Sequence, residues 1–151
     1  MRPDVEYSVN VPVSVDAAFA AFQNLQRLLH RGIFAEAVWT DGPPWQSGSR
    51  LRYVLTKPLR ATISAVLIDI SPPRAVALLN HALGITAEQH VSFGPDLKGG
   101  TRIRMTMTLV GKSTELSDAE VREITTFITR DALDTVVAEC LRKRANSAPG
   151  Q

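Results

Sequence analysis

The feature that most constrains this chain is a change of hydrophobic period at Ser117. Before it, apolar residues recur at every second position, in short runs closed by Gly, Pro or Asp. After it, they recur at steps of three and four. A period of two marks a half-buried strand, and a period near 3.6 marks an amphipathic helix. Val121, Ile124, Ile128, Ala132, Val136 and Cys140 form one apolar stripe. Ser117 and Glu120 stand at capping-box spacing, and Arg142, Lys143 and Arg144 occupy a last turn where cations suit the helix dipole. The spacing predicts a single helix from Ser117 to Arg144.

The first part of the chain reads as strands broken by turns. Asp4–Val11 alternates and Pro12 ends it. Ser14 is an N-cap for an alanine-rich helix through Phe22, and a second short helical piece, Leu25–His30, stops at Gly32. Six further strands follow: Ala35–Thr40, Ser49–Thr56, Thr62–Ile70, Arg74–His81, Ile85–Phe93 and Thr101–Val110. The turns between them carry Asp41-Gly42-Pro43-Pro44, Ser71-Pro72-Pro73, Gly84, Gly94-Pro95-Asp96 and Gly99-Gly100. Strands joined by tight turns run antiparallel, and a long helix with one apolar face needs a sheet to cover. The expected fold is α+β: a seven-stranded antiparallel sheet curled around a long C-terminal helix, with two short helices after strand 1. Residues 1–146 make a single domain, and residues 147–151 read as a flexible polar tail.

Alternation also assigns faces. The more apolar sets, expected to point at the long helix, are Tyr7/Val9/Val11, Ala37/Trp39, Leu51/Tyr53/Leu55, Val66/Ile68/Ile70, Val76/Leu78/Asn80, Ala87/Gln89/Val91/Phe93 and Ile103/Met105/Met107/Leu109. Most of these residues are core. Tyr7, Trp39, Tyr53, Asn80 and Gln89 differ, because their polar groups need partners when buried. An apolar space with a few convergent polar groups is the usual form of a small-molecule site, and Met105 and Met107 add adaptable walls. On the helix, Thr125 and Phe127 are candidates to face the same space; the register leaves the choice open, and Phe127 is placed with the site. Arg50, Arg52, Glu88, His90, Ser92, Arg102 and Arg104 fall on the outer face, where Glu88 and His90 read as a surface pair.

Several local patterns carry a family resemblance. Val9, Val11 and Pro12 followed by Val15–Phe22, the turn Asp69-Ile70-Ser71-Pro72-Pro73-Arg74, and the hairpin Phe93-Gly94-Pro95 with Gly99-Gly100-Thr101-Arg102-Ile103 occur in order. Together they resemble the START and Bet v 1-like superfamily, also called SRPBCC or polyketide cyclase/dehydrase proteins, over residues 4–145. The resemblance implies a helix-grip fold, commonly with a cavity between long helix and sheet. It spans lipid carriers, hormone receptors, polyketide cyclases and chaperone activators. Many bacterial members carry Trp-x-x-Trp after the first helix; Leu25-Gln26-Arg27-Leu28-Leu29-His30 stands there in this chain, which implies a differently shaped cavity mouth.

The functional expectation is a binding protein for a hydrophobic ligand that is lipid-, polyketide- or aromatic-like, with Trp39, Tyr53, Asn80, Gln89, Met105, Met107, Phe127 and Tyr7 as site residues. One alternative is a cyclase or dehydratase working through cavity polar groups. Another is a protein- or ribosome-interacting module using the outer sheet. Residues 50–112 carry nine Lys/Arg against three Asp/Glu, but no exposed aromatics interleave with them, so nucleic acid is not expected as a partner. There is no phosphate loop, nucleophile elbow or zinc-helix motif. One cysteine and three scattered histidines (His30, His81, His90) give no metal-ligand spacing, so neither metal nor cofactor is expected. Cys140 reads as a small buried hydrophobe. No apolar run reaches the ~18 residues of a membrane span, and the opening Met1-Arg2-Pro3-Asp4 lacks a secretory layout; the expectation is a cytoplasmic monomer or homodimer.

Overall fold

A computed structural model describes residues 2–29 and 31–146. Its elements are β1 (Val5–Val11), α1 (Val15–Gln23), α2 (Leu25–Leu28), β2 (Phe34–Asp41), β3 (Arg50–Leu55), β4 (Ala61–Ser71), β5 (Ala75–Ala82), β6 (Ile85–Pro95), β7 (Thr101–Lys112) and α3 (Asp118–Asn146). The strands form one sheet in the order β1-β7-β6-β5-β4-β3-β2, with every neighbouring pair antiparallel. β2 to β7 are a meander, and β1 adds at the far edge beside β7. The α1–α2 segment therefore carries the chain from one edge of the sheet to the other. α3 lies against β1, β7 and both short helices. This is the α+β helix-grip architecture expected from the change of period.

The local chemistry sets the element ends. Ser14 Oγ accepts from Ala17 N at 3.1 Å and starts α1. Ser117 Oγ accepts from Glu120 N while Glu120 Oε1 accepts from Ser117 N, both at 3.1 Å, completing the capping box at α3. These bonds also hold the Glu120 carboxyl below the usual glutamate range. The β5–β6 hairpin turns on Leu83 (φ 55°) and Gly84 (φ 73°), two successive left-handed residues of the kind a tight two-residue hairpin requires. The second helical piece is shorter than expected: α2 is one turn, with Leu29 as its C-cap. His30 and the tail 147–151 lie outside the described residues.

The face assignment fails on one strand. Val66 and Ile68 were expected inward, but Ala61, Ile63, Ala65 and Leu67 are the buried set, and Ile68 is 45% exposed. The register slips between Leu67 and Asp69, so that Ile70 turns back to pack on the core. A bulge of this kind inverts the alternation halfway along a strand. Reading backward from Ile70 therefore gives the wrong phase for the first half of β4.

The main core packs α1 and α3 against the sheet. Phe19 and Phe22 of α1 meet Phe93 of β6 at centroid distances of 5.1 and 5.7 Å, in edge-on geometry. Val11, Ile103, Leu133 and Val136 close around them. Cys140 is buried in this core, as expected. Where the same cluster reaches Leu78, Met105 and Ala132 it opens onto a cavity, and that is where the site lies.

Candidate functional site

A cavity of about 120 Å³ lies between α3 and the concave face of the sheet. Strands β2 to β7 supply its floor, α3 its roof, and α1–α2 with Trp45 one wall. Among the described lining residues there is no Asp, Glu, Lys, Arg, His or Cys. The polar side chains facing it are Tyr53, Asn80 and Gln89 on the sheet and Thr125 and Thr129 on α3, besides the Trp45 indole, whose N–H donates away to the Gln23 carbonyl at 3.1 Å.

The sheet's polar residues form a directed relay. Tyr53 Oη donates to Asn80 Oδ1 at 2.9 Å. Asn80 Nδ2 donates to Gln89 Oε1 at 2.7 Å, and Gln89 Nε2 donates to Met105 Sδ at 3.4 Å. Register explains the convergence. Asn80 pairs with Ala87, so Gln89 is its diagonal neighbour on the same face. Gln89 pairs with Met107, so Met105 is diagonal in turn. Tyr53 reaches Asn80 across the whole of β4, where Ala65, the partner of Asn80, leaves room for the phenol. Asn80 and Gln89 are buried, and burial pushes the Tyr53 phenol well above the ordinary tyrosine range. On the roof, the Thr125 and Thr129 hydroxyls donate to the carbonyls of Val121 and Thr125, each at 2.7 Å. Their lone pairs remain as acceptors.

Tyr53, Asn80, Gln89, Met105 and Met107 thus line the cavity as the sequence predicts. Three other expected site residues do not. Trp39 sits edge-on behind Trp45, with centroids 5.2 Å apart, and Trp45 takes the place at the wall. Tyr7 is engaged at the β1–α3 seam, where its hydroxyl donates to Asp134 Oδ1 at 3.2 Å and the Arg130 guanidinium lies 5.2 Å from its ring centroid. Phe127 is 40% exposed and points away. At about 100° per residue, a side chain two positions from both Thr125 and Thr129 falls on the opposite side of the helix. Trp45 escaped the sequence reading because it stands in the β2–β3 connection at φ 60°, where no period applies. Thr129 was legible as the i+4 partner of Thr125.

Part of the outer face is charge-paired. Arg104 grips Glu6 with two bonds of 2.9 Å, and Arg52 meets Glu36 at 2.9 Å. His90 and Glu88 form the expected surface pair at 2.8 Å. Two of the arginines that make this region basic are therefore matched by carboxylates on adjacent strands. On α3 itself, Glu139 carries no signal in the sequence, yet its side chain is fully buried against Arg142 at 2.7 Å and Arg31 at 3.3 Å. Arg142 foremost, then Arg31 and Arg27, hold its carboxyl below the usual glutamate range. The clamp ties the segment after α2 to α3. Among the described residues no three His, Cys, Asp or Glu side chains gather into a metal-binding group, and no helix is long and apolar enough to cross a membrane.

No protein-family model matches the chain, and no curated protein matches it. Solved structures do. The Zhui aromatase/cyclase from Streptomyces sp. R1128 aligns over 97% of this chain and 98% of its own, with TM-score 0.77 and 16% identity. A START superfamily protein from Mycobacterium smegmatis aligns over 92% and 97%, with TM-score 0.76 and 10% identity. Ara h 8.0201 aligns over 91% and 97%, with TM-score 0.72 and 13% identity. At these identities the likeness establishes a shared fold.

Proposed function

We propose that the protein is a binding module that holds one compact, mainly apolar molecule between α3 and the sheet. The observation that carries this reading is the cavity itself, apolar in most of its lining and crossed by one ordered polar relay. Its size narrows the ligand. Pockets for drug-sized ligands run to roughly 300–1,000 Å³, whereas an apolar cavity of about 150 Å³ takes benzene. A single ring or a short chain suits the space better than a long lipid or an extended polyketide.

The lining also weighs against a cyclase or dehydratase mechanism. General acid–base catalysis works best with a group titrating near the operating pH. Tyr53 is the titratable group among the described lining residues, and burial moves it further from neutrality. A role for the outer sheet as an interaction surface has less support, because Glu6 and Glu36 already occupy Arg104 and Arg52. The test is calorimetric titration of the protein with toluene, beside Ala132→Leu, which fills the cavity from α3. Saturable one-to-one binding that Ala132→Leu weakens is expected. Absence of binding to the unaltered protein would refute the reading.

A further inference from the structure

We infer that the cavity selects an uncharged ligand bearing a carbonyl oxygen, and that this oxygen is received by the side-chain amides of Gln89 and Asn80. This inference rests on the binding reading above and adds the chemical class of the ligand.

The relay ends at Met105. Met105 Sδ has no proton to give, so the Gln89 group facing it at 3.4 Å must be the NH₂. That choice fixes every step behind it: Gln89 Oε1 accepts from Asn80 Nδ2, and Asn80 Oδ1 accepts from Tyr53 Oη. The relay therefore has one polarity. It ends on a thioether, a weak acceptor, in a place where both amides are buried. Each NH₂ also has a second hydrogen without a partner among the described residues. The Gln89 NH₂, met only by sulfur, is better served by a carbonyl oxygen.

The same lining rejects charge. A carboxylate brought to this position would meet no Lys, Arg or His among the described lining residues, and an unpaired buried charge is strongly disfavoured. A free acid could then bind only with its carboxylate outside this position. An ammonium group would face the two amide donors with no carboxylate to offset it.

Three ligands of nearly equal shape test this: acetophenone, α-methylstyrene and benzoate, which present a ketone, a hydrocarbon and a carboxylate on the same ring. Affinities are read by nuclear magnetic resonance titration for the unaltered protein, Gln89→Leu and Met105→Leu. The ratio of acetophenone to α-methylstyrene affinity is expected to fall about tenfold in Gln89→Leu, the scale of one buried hydrogen bond. It should rise in Met105→Leu, where the competing sulfur is gone. Benzoate should bind the unaltered protein at least about a hundredfold more weakly than acetophenone. Binding of α-methylstyrene to Gln89→Leu reports that the variant keeps its cavity; should it fail to fold, Met105→Leu and benzoate still decide. An affinity ratio unchanged in both variants, or benzoate within tenfold of acetophenone, would overturn the inference and leave the binding reading standing. Failure of α-methylstyrene and acetophenone alike to bind the unaltered protein would instead remove the binding reading.

Discussion

Asn80→Asp is the substitution that probes the interior most sharply, because it changes the possible charge and almost nothing else. Asn80 accepts from Tyr53 and donates to Gln89. A protonated carboxyl can do both, so the relay survives while the introduced acid stays neutral. Ionised, it can only accept, and it sits in a cavity whose described lining offers no cation. Burial of this kind raises a carboxyl pKa by up to about 3–5 units from an unfolded value near 3.9. The folded state then keeps a proton that the unfolded state releases. Stability relative to the unaltered protein therefore falls as pH rises above about 4, by about 1.4 kcal/mol per unit. If the folded-state pKa reaches 7, the accumulated loss at pH 7 is about 4 kcal/mol, a large part of the ~5–15 kcal/mol that stabilises a typical domain. Urea unfolding of both proteins at intervals from pH 4 to pH 8 measures it, and taking the difference at each pH cancels the titration they share. A difference that stays within about 1 kcal/mol over this range would mean that water or a counter-charge reaches Asn80. The picture of a dry, uncharged cavity would then be wrong.

Three other outcomes follow from the fold. Glu139→Gln should flatten the acid limb of thermal stability: the folded-state pKa of Glu139 is depressed, so its clamp to Arg142 and Arg31 contributes above the ordinary glutamate pKa and is lost as pH falls through the folded value. Melting curves of variant and unaltered protein that stay parallel from pH 6 to pH 3 would contradict this. Ser117→Ala removes the α3 cap and should lower stability by about 1 kcal/mol in chemical denaturation, with no change in cavity binding. Gly84→Ala should be worse than its size suggests, by about 1–3 kcal/mol, because φ is 73° and the added methyl meets the Ser113 carbonyl; a neutral result would mean that the hairpin relaxes freely.

Much of the architecture was legible because its signals are periodic. The switch at Ser117 located α3 to within two residues at each end, and the capping box placed its start. Five of the eight expected site residues line the cavity because inward alternation holds on β3, β5, β6 and β7. The misreadings arise where periodicity stops applying. A bulge inverted β4, the loop residue Trp45 displaced Trp39 from the wall, and an unfixed helical register allowed Phe127 in place of Thr129. Glu139 was invisible for a different reason. A carboxylate on an apolar helix face looks like an exposed residue until the fold brings Arg31 to it.

Ligand binding here depends on an open apolar space between α3 and the sheet that accepts a small apolar molecule. A crystal structure under xenon pressure tests it most directly, since xenon enters dry apolar cavities and needs no assumption about the natural ligand. Xenon is expected among Leu78, Met105 and Thr129, with the Tyr53–Asn80–Gln89 relay undisturbed. Side chains closed over that volume, or a chain of ordered waters filling it, would mean that no apolar site lies there.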